Sequence, residues 1–416
     1  CVFCPGPAYP GLGPNALATG SVSGAPLAVG VPVYSGYGPE GDFFSVDPHM
    51  RTPYIQNFNL NLQQQLGKKM VLQVGYVGSI GIKLFQFLDI NQPNQAQITA
   101  ADLGCDCINS YSVPRTVAPN FFYLNQEKSS ANSSYHSLQA SLRTTGWHGL
   151  TSQANFVWSH AIDDASDLED FEPNEAQPTN STNPAGDYGN SSYDIRRRFT
   201  WSFTYQLPKS GGSLQKLKNG WGLDGILNLQ DGQPWHLNYE FEGEYSGSGE
   251  GFDRPDEIAT PQYNTSNPAD YIDLSAFAAP CTFGNPSNDG SADETNCIPG
   301  TRHFGSEGRN SLHGPSFKEF NFSVFKDTSL AEHVTMSLRA EFFNILNHPN
   351  FTNPFLPNFI ADIGAPNALN ASNAFTGGYA PGTYYGITAT GDVGIGNPFL
   401  GGGGPRGVQF AAIFKF

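Results

Sequence analysis

The chain has 416 residues, enough for one large barrel or two to three ordinary domains, and it carries a net charge of −16 with only 21 Lys and Arg. That balance argues against nucleic acid as a partner, because phosphate binding needs clustered basic side chains, and it is otherwise the charge of a well-solvated protein. No apolar run reaches the roughly 18 to 20 residues of a membrane-spanning helix, which leaves a strand-built membrane protein open.

Charged residues make up 14% and aromatics 13%, with 47 Gly and 31 Pro, a composition suited to many strands joined by turns and irregular loops. Residues 1–50 read as an extended Gly/Pro-rich arm with too few periodic positions to fold alone. Within it Gly36, Gly38 and Gly41 match a dinucleotide-loop spacing, but no helix follows and Pro39 interrupts it. The chain starts at Cys1 without a basic-then-apolar leader, so it reads as a processed product or a fragment.

From Tyr54 the two-residue period of a strand dominates. Phe58, Leu60 and Leu62 oppose Asn57, Asn59 and Asn61; after the turn at 67–69, Met70, Leu72, Val74 and Tyr76 oppose Gln73 and Ser79. A third strand is expected near Ile82 to Leu88, then a loop over 91–130. His136, Leu138, Ala140 and Leu142 oppose Gln139, Ser141 and Arg143, and the return strand sets Leu150, Ala154, Phe156 and Trp158 against Thr151, Gln153 and Asn155. After an acidic loop over 161–193 come Phe199 to Leu207, Trp221 to Gln230 and Trp235 to Phe241, then an irregular region over 243–316. Phe317 to Phe343 reads as a hairpin, with Phe320, Phe322 and Val324 on one parity and Arg339 and Glu341 on the polar parity of its second strand. A loop over 347–405 leads to a last strand carrying Phe410, Phe414 and Phe416, which would close a barrel.

These eleven segments predict an all-β fold, an antiparallel up-and-down barrel of about 11–12 strands occupying 51–416, with the arm at 1–50. Short turns at 67–69, 146–149 and 327–332 alternate with loops of roughly thirty residues or more. Outer-membrane barrels have that asymmetry, with short turns facing the periplasm and long loops outside. Arg143, Arg198, Arg339 and Glu341 would then face the lumen, either pairing with one another or lining a solute path.

Six cysteines in polar, Gly/Pro-rich surroundings favour disulfides and an oxidising compartment. Cys281 with Cys297 is the firmest expected bridge; Cys1 and Cys4, with Cys105 and Cys107, are left for pairing elsewhere, including with a neighbouring chain. Asp163, Asp164, Asp167, Glu169 and Asp170 make a dense acidic loop that a Ca²⁺ ion would suit, although the spacing is not that of an EF-hand and a solvated loop is the alternative. A second acidic run from Glu240 to Glu257, mixed with Phe241, Tyr245 and Phe252, would stack a sugar or peptide or else be ordinary loop. There is no GxSxG elbow, HExxH pair or phosphate loop, so no enzyme is expected.

A set of ordered motifs carries a family resemblance. They are Arg51-Thr52-Pro53-Tyr54-Ile55-Gln56-Asn57, Gly75-Tyr76-Val77-Gly78-Ser79, Ser134 to Gln139, Trp158-Ser159-His160-Ala161-Ile162-Asp163-Asp164, Asp194-Ile195-Arg196-Arg197-Arg198-Phe199, Gly308-Arg309-Asn310 and Phe342 to Phe351. In this order the chain resembles the C-terminal barrel region of the TonB-dependent, Oar-like outer-membrane receptors of acidobacterial type. The resemblance implies a bacterium of Gram-negative type, contact with outer-membrane lipid, and a small-molecule ligand held by lumen and outer loops. Those receptors also have a plug and about 22 strands; this sequence shows neither, so energised import is not implied. The alternative expectation is a secreted, receptor-derived subunit joining other copies of itself head to tail into an extracellular filament or tube through its arm and disulfides.

Overall fold

The structure is a computed structural model that describes residues 43–104, 113, 115, 117, 123–166, 177–237, 246–248, 253–265, 271–282, 297–350 and 405–415. The arm up to residue 42, Cys1, Cys4, Cys105, Cys107, Asp167, Glu169, Asp170, residues 240–245 and 249–252 and Phe416 lie outside the described residues. In chain order the strands are β1 (Phe43–Val46), β2 (Tyr54–Leu66), β3 (Met70–Asp89), β4 (Leu124–Trp147), β5 (Leu150–Asp163), β6 (Gly189–Asn190), β7 (Arg197–Gln206) and β8 (Trp221–Gln230). They continue with β9 (Pro234–Trp235), β10 (Asp256–Glu257), β11 (Phe277–Ala278), β12 (Leu312–His313), β13 (Phe317–Ala331), β14 (Val334–Phe343) and β15 (Gly407–Lys415). One ten-residue helix, α1, spans Gln95–Gly104, and among the described residues no helix is long and apolar enough to cross a membrane.

The fold is mostly antiparallel β. Nine long strands form one sheet in the order β15-β14-β13-β8-β7-β5-β4-β3-β2, with β1 and β6 as short additions on β4 and β5. Sequence and structure divide the chain differently in several places: residues 124–130, expected as loop, belong to β4, and 327–331, expected as turn, belong to β13. The segment near Ile82 to Leu88 is the upper half of β3: the register slips between Ile82 and Leu84, where Lys83 takes a positive φ of 58°, and this bulge breaks the period without ending the strand. Of the strand expected over Trp235 to Phe241 only 235–237 are described, and there the pairing is limited to Trp235, which with Pro234 forms β9 against Leu312 and His313.

Register turns the alternation into two coherent faces. Leu60, Tyr76, Leu138 and Trp158 stand side by side across β2 to β5, and Ala154, Trp201, Leu227 and Phe320 across β5 to β13. Val324, Ala340 and Phe410, in a neighbouring row, carry the same face on to β15. This face is open, with Trp158 58% and Phe410 79% exposed. The residues between them, among them Gln139, Asn155, Thr200, Asp224, Ser323 and Glu341, fill the opposite face.

All short connections lie at one end of the sheet. His148 and Gly149 both take positive φ, 50° and 88°, giving β4 and β5 a two-residue turn, and a β-carbon on Gly149 would meet the Gln206 carbonyl at 2.4 Å. The segment 207–220 between β7 and β8 belongs to the same end, a turn that the periodicity alone did not single out. The long connections lie at the other end. There β3 and β4, 20 and 24 residues long, run well beyond the 9 to 11 residues that span a bilayer.

Among the described residues β2 and β15 are the edges, and they do not pair with each other. Phe410 and Phe414 therefore lie on an edge strand, and closure of a barrel through β15 is not observed. The parity of the sheet explains why. Every step in the nine-strand order is antiparallel, so β2 and β15 run in the same direction and could meet each other only in parallel.

Gly225 on β8 sits beneath a ring, and a β-carbon there would lie 2.3 Å from Phe203. Gly225→Val should lower the unfolding free energy by about 1–3 kcal/mol through overpacking, while Gly211→Ala, with nothing within 4 Å, should change it little. Urea unfolding of both variants followed by tryptophan fluorescence checks the pair.

Candidate functional site

The polar face of the sheet is a connected surface. Ser141 Oγ donates to Asn155 Oδ1 (2.9 Å), and Asn155 Nδ2 donates to Thr200 Oγ1 (3.2 Å), linking β4, β5 and β7. On β8 the Asp224 carboxylate accepts from Thr204 Oγ1 (2.7 Å) and Ser323 Oγ (3.4 Å), and the Arg339 guanidinium approaches it to 3.7 Å. Arg339 also lies 3.7 Å from Glu341 and stacks over the Phe325 ring at 5.4 Å. The structure thus brings Arg339 and Glu341 together. It places Arg143 and Arg198 on the same face, opposite Gln153 and Gln230 respectively, without an ion pair for either among the described residues. A hollow of about 490 Å³ opens between Arg143 and Asp224, walled by Thr151, Gln153, Ser202 and Thr204.

The second assembly is a cap of long connections. The largest fully buried side chains, Trp235, Arg309, Phe277, Ile98, Leu237, Leu312, Glu307, Asn91 and Asn310, all come from these connections and none from the nine long strands. The apolar core therefore sits at the loop end. Arg309, fully buried, donates to the Asp163 carboxylate at the top of β5, to Ser166 (3.2 Å) and to the Asp187 carbonyl (2.9 Å). Arg254 pairs with the Asp187 carboxylate, and Asn310 Nδ2 donates to Asn190 O (3.0 Å) and Ser192 Oγ (3.1 Å). Helix α1 starts with a reciprocal cap, Gln97 N to Asn94 Oδ1 (3.0 Å) and Asn94 N to Gln97 Oε1 (2.8 Å), and packs Ile98 on Val113. Arg115 fastens the same loop by donating to Asp89 (2.8 Å) and the Ser248 carbonyl (3.2 Å). The bridge between Cys281 and Cys297 is present, with Cα atoms 5.7 Å apart.

Four of the seven motifs singled out in the sequence, those carrying Asp163, Asp194, Arg309 and Asn350, hold the loop end together. Asp163 serves Arg309, and Asp194 accepts from Ala161 N (2.7 Å) and Arg196 Nε (3.0 Å). Asn350 clasps Lys318 in both directions, accepting at 2.8 Å and donating at 3.1 Å. Asp164 accepts from the Asn132 backbone (2.6 Å) and side-chain (3.2 Å) amides, so the two described carboxylates of the acidic loop are braces for neighbouring groups. Among the described residues no three His, Cys, Asp or Glu side chains are grouped to hold a metal ion. His236, Glu307 and Asn310 are not legible as a unit in the sequence, because His236 meets Asn310 and the Leu237 amide meets Glu307 only through tertiary packing.

Burial pushes the His236 imidazole down to about 3, aided by Arg254, against its hydrogen bond to Asn310. Burial pushes the Glu307 carboxyl up to about 8, outweighing the Leu237 amide and Arg254, which favour the carboxylate. The unfolded chain would charge His236 below about 6.5 and Glu307 above about 4.5. Between those values both states bind one proton in total, so stability is flat there. It falls above about 6.5 as Glu307 is held protonated, and falls below about 4.5 as His236 is held neutral. Protease resistance of the cap should therefore be greatest between about pH 4.5 and 6.5; Glu307→Gln should remove the alkaline decline, and an unchanged decline would contradict the assignment. Arg309→Met should expose the cap to cleavage, since it leaves Asp163 buried without its partner at a cost of about 3–5 kcal/mol.

Comparison with known proteins follows the architecture. A family model described as an outer membrane beta barrel domain matches residues 9–377. Among solved structures, the chain is similar to the outer membrane transporter YddB of Escherichia coli, with 11% identity and a TM-score of 0.37, covering 73% of this chain and 30% of that one. It is similar to the pyoverdine outer membrane receptor FpvA of Pseudomonas aeruginosa, with 8% identity and a TM-score of 0.37, covering 88% and 30%. BauA, the ferric preacinetobactin receptor of Acinetobacter baumannii, gives 8% identity and a TM-score of 0.36 over 87% and 29%. The chain thus spans less than a third of the length of each of these structures. No curated protein matches it.

Proposed function

The chain belongs to the outer-membrane β-barrel domain family and is a protein of the outer membrane, and from that premise we propose that it forms the ligand-handling wall of a TonB-dependent-receptor-like barrel of the Oar-like type. In this reading the open apolar face meets lipid, the polar face lines a lumen, and the capped end faces outward. Arg143, Arg198, Arg339 and Glu341 take the lumen role, and β15 takes its place in a closed barrel by pairing with strands other than β2.

The observation that carries the reading is the separation of the two faces across nine strands, with a partnered charge cluster on one and open aromatics on the other. An outer-membrane strand has this pattern, apolar toward lipid and polar toward the lumen. The filament reading rests on the arm and on Cys1 and Cys4, outside the described residues, and no observation favours it.

Two measurements test the proposal. Leu138→Arg should cost about 2–4 kcal/mol in lipid vesicles, falling toward 0–1 nearer the interface, whereas Gln139→Arg on the polar face should cost far less; equal costs would remove the assignment of faces. The protein purified from outer membranes and reconstituted in vesicles should pass small polar solutes, and the double substitution Arg339→Ala with Glu341→Ala should alter their relative rates. Wild-type vesicles as tight as empty ones would overturn the transport role.

A further inference from the structure

The hollow on the polar face is charged at both ends and with opposite sign. On the β4 side stands Arg143, whose guanidinium has no partner among the described residues. On the β8 side stands Asp224, with Glu341 and Arg339 beside it at 3.7 Å contacts, so that this end sums to one negative charge. Between the ends the wall carries the hydroxyls of Thr151, Ser202 and Thr204 and the Gln153 amide, with Ile226 and Phe203 as its apolar part. Arg143 is exposed, and Asp224 keeps acceptor capacity beyond its bonds to Thr204 and Ser323.

We propose that this hollow binds a short zwitterionic peptide, with its carboxylate on Arg143 and its ammonium group on Asp224. The inference rests on the proposed function in that the polar face must be reached by solute. Arginine suits the carboxylate because its planar fork donates two parallel hydrogen bonds. Asp224 suits the ammonium because the Arg339 contact is long at 3.7 Å, leaving the end net negative. Dimensions choose the length. The strands β4 and β8 are three spacings apart, about 14 Å at ~4.8 Å each, and Arg143 registers through Gln153 and Ser202 with Ile226, two residues from Asp224, which makes the backbone span about 16 Å before the lengths of the two side chains are subtracted. An extended chain covers about 3.3–3.6 Å per residue, so about three residues bridge what remains. A longer peptide would still fit one end only, and a single amino acid would not touch both.

The probe is trialanine, with its N-acetylated and C-amidated forms, titrated calorimetrically into the detergent-solubilised protein. Trialanine should bind saturably, and each blocked form should bind at least tenfold more weakly. Arg143→Gln should lose tenfold or more for trialanine while binding the amidated peptide no worse than wild type does. Asp224→Asn should lose the distinction between free and acetylated peptide while keeping that between free and amidated. The mobility shift between heated and unheated protein on gels confirms that each variant is folded. Equal binding of trialanine and its blocked forms, or no saturable binding to folded wild-type protein, would overturn the proposal. Termini-dependent binding without solute flux in vesicles would instead overturn the transport role and leave the site standing.

Discussion

The structure depends on lateral hydrogen bonding that fixes register. In a sheet of nine strands a slip of one residue in any pairing would send that strand's apolar side chains to the polar face. Among the described residues the pairings of the long strands slip near strand ends at Thr144 of β4 and Ser329 of β13, and within β3 at Lys83, where pairing continues on both sides of the bulge. Backbone groups satisfied in this way need no water, the condition a strand must meet to sit in hydrocarbon. The division into an open apolar face and a networked polar face follows directly.

The second constraint is where the apolar core lies. A soluble sandwich would bury large side chains between sheets, and here the long strands contribute none of the largest fully buried residues. The core has moved into the loop-end cap, where Trp235, Phe277, Leu237 and Leu312 are buried around Arg309 and Glu307. Buried charges there act as joints between connections distant in sequence. Arg309 alone ties residues 163, 166 and 187 to the turn before β12. Such joints specify one arrangement of the loops, and their removal leaves a partner charge stranded.

Much of the sheet was legible because period-two alternation is a local property. The hairpin from Phe317 to Phe343, the pairing of β4 with β5 and the polar parity of Arg143, Arg198, Arg339 and Glu341 follow from the spacing of residues alone. The differences in the sheet arise where local period misleads. A bulge at Lys83 mimics a strand end, and the weakly alternating runs 124–130 and 327–331 read as loop and turn although they are paired strand. The cap was legible only as scattered motifs. Gly308-Arg309-Asn310 and the Asp163-Asp164 pair stood out as sequence, but their meeting depends on connections more than a hundred residues apart, which no periodicity records. The hollow between Arg143 and Asp224 was hidden for the same reason, since its ends lie on strands that are not neighbours.

The central claim is that one face of this sheet meets lipid and the other meets water. Fluorescence quenching by lipids brominated along their acyl chains tests it most directly, because Trp158, Trp201 and Trp221 stand on the apolar face while Trp235 is buried in the cap. In vesicles the account predicts strong quenching in a variant whose exposed turn-end Trp147 is replaced by Phe, largely lost when Trp158→Phe, Trp201→Phe and Trp221→Phe are added. Quenching unchanged by that triple substitution would contradict it.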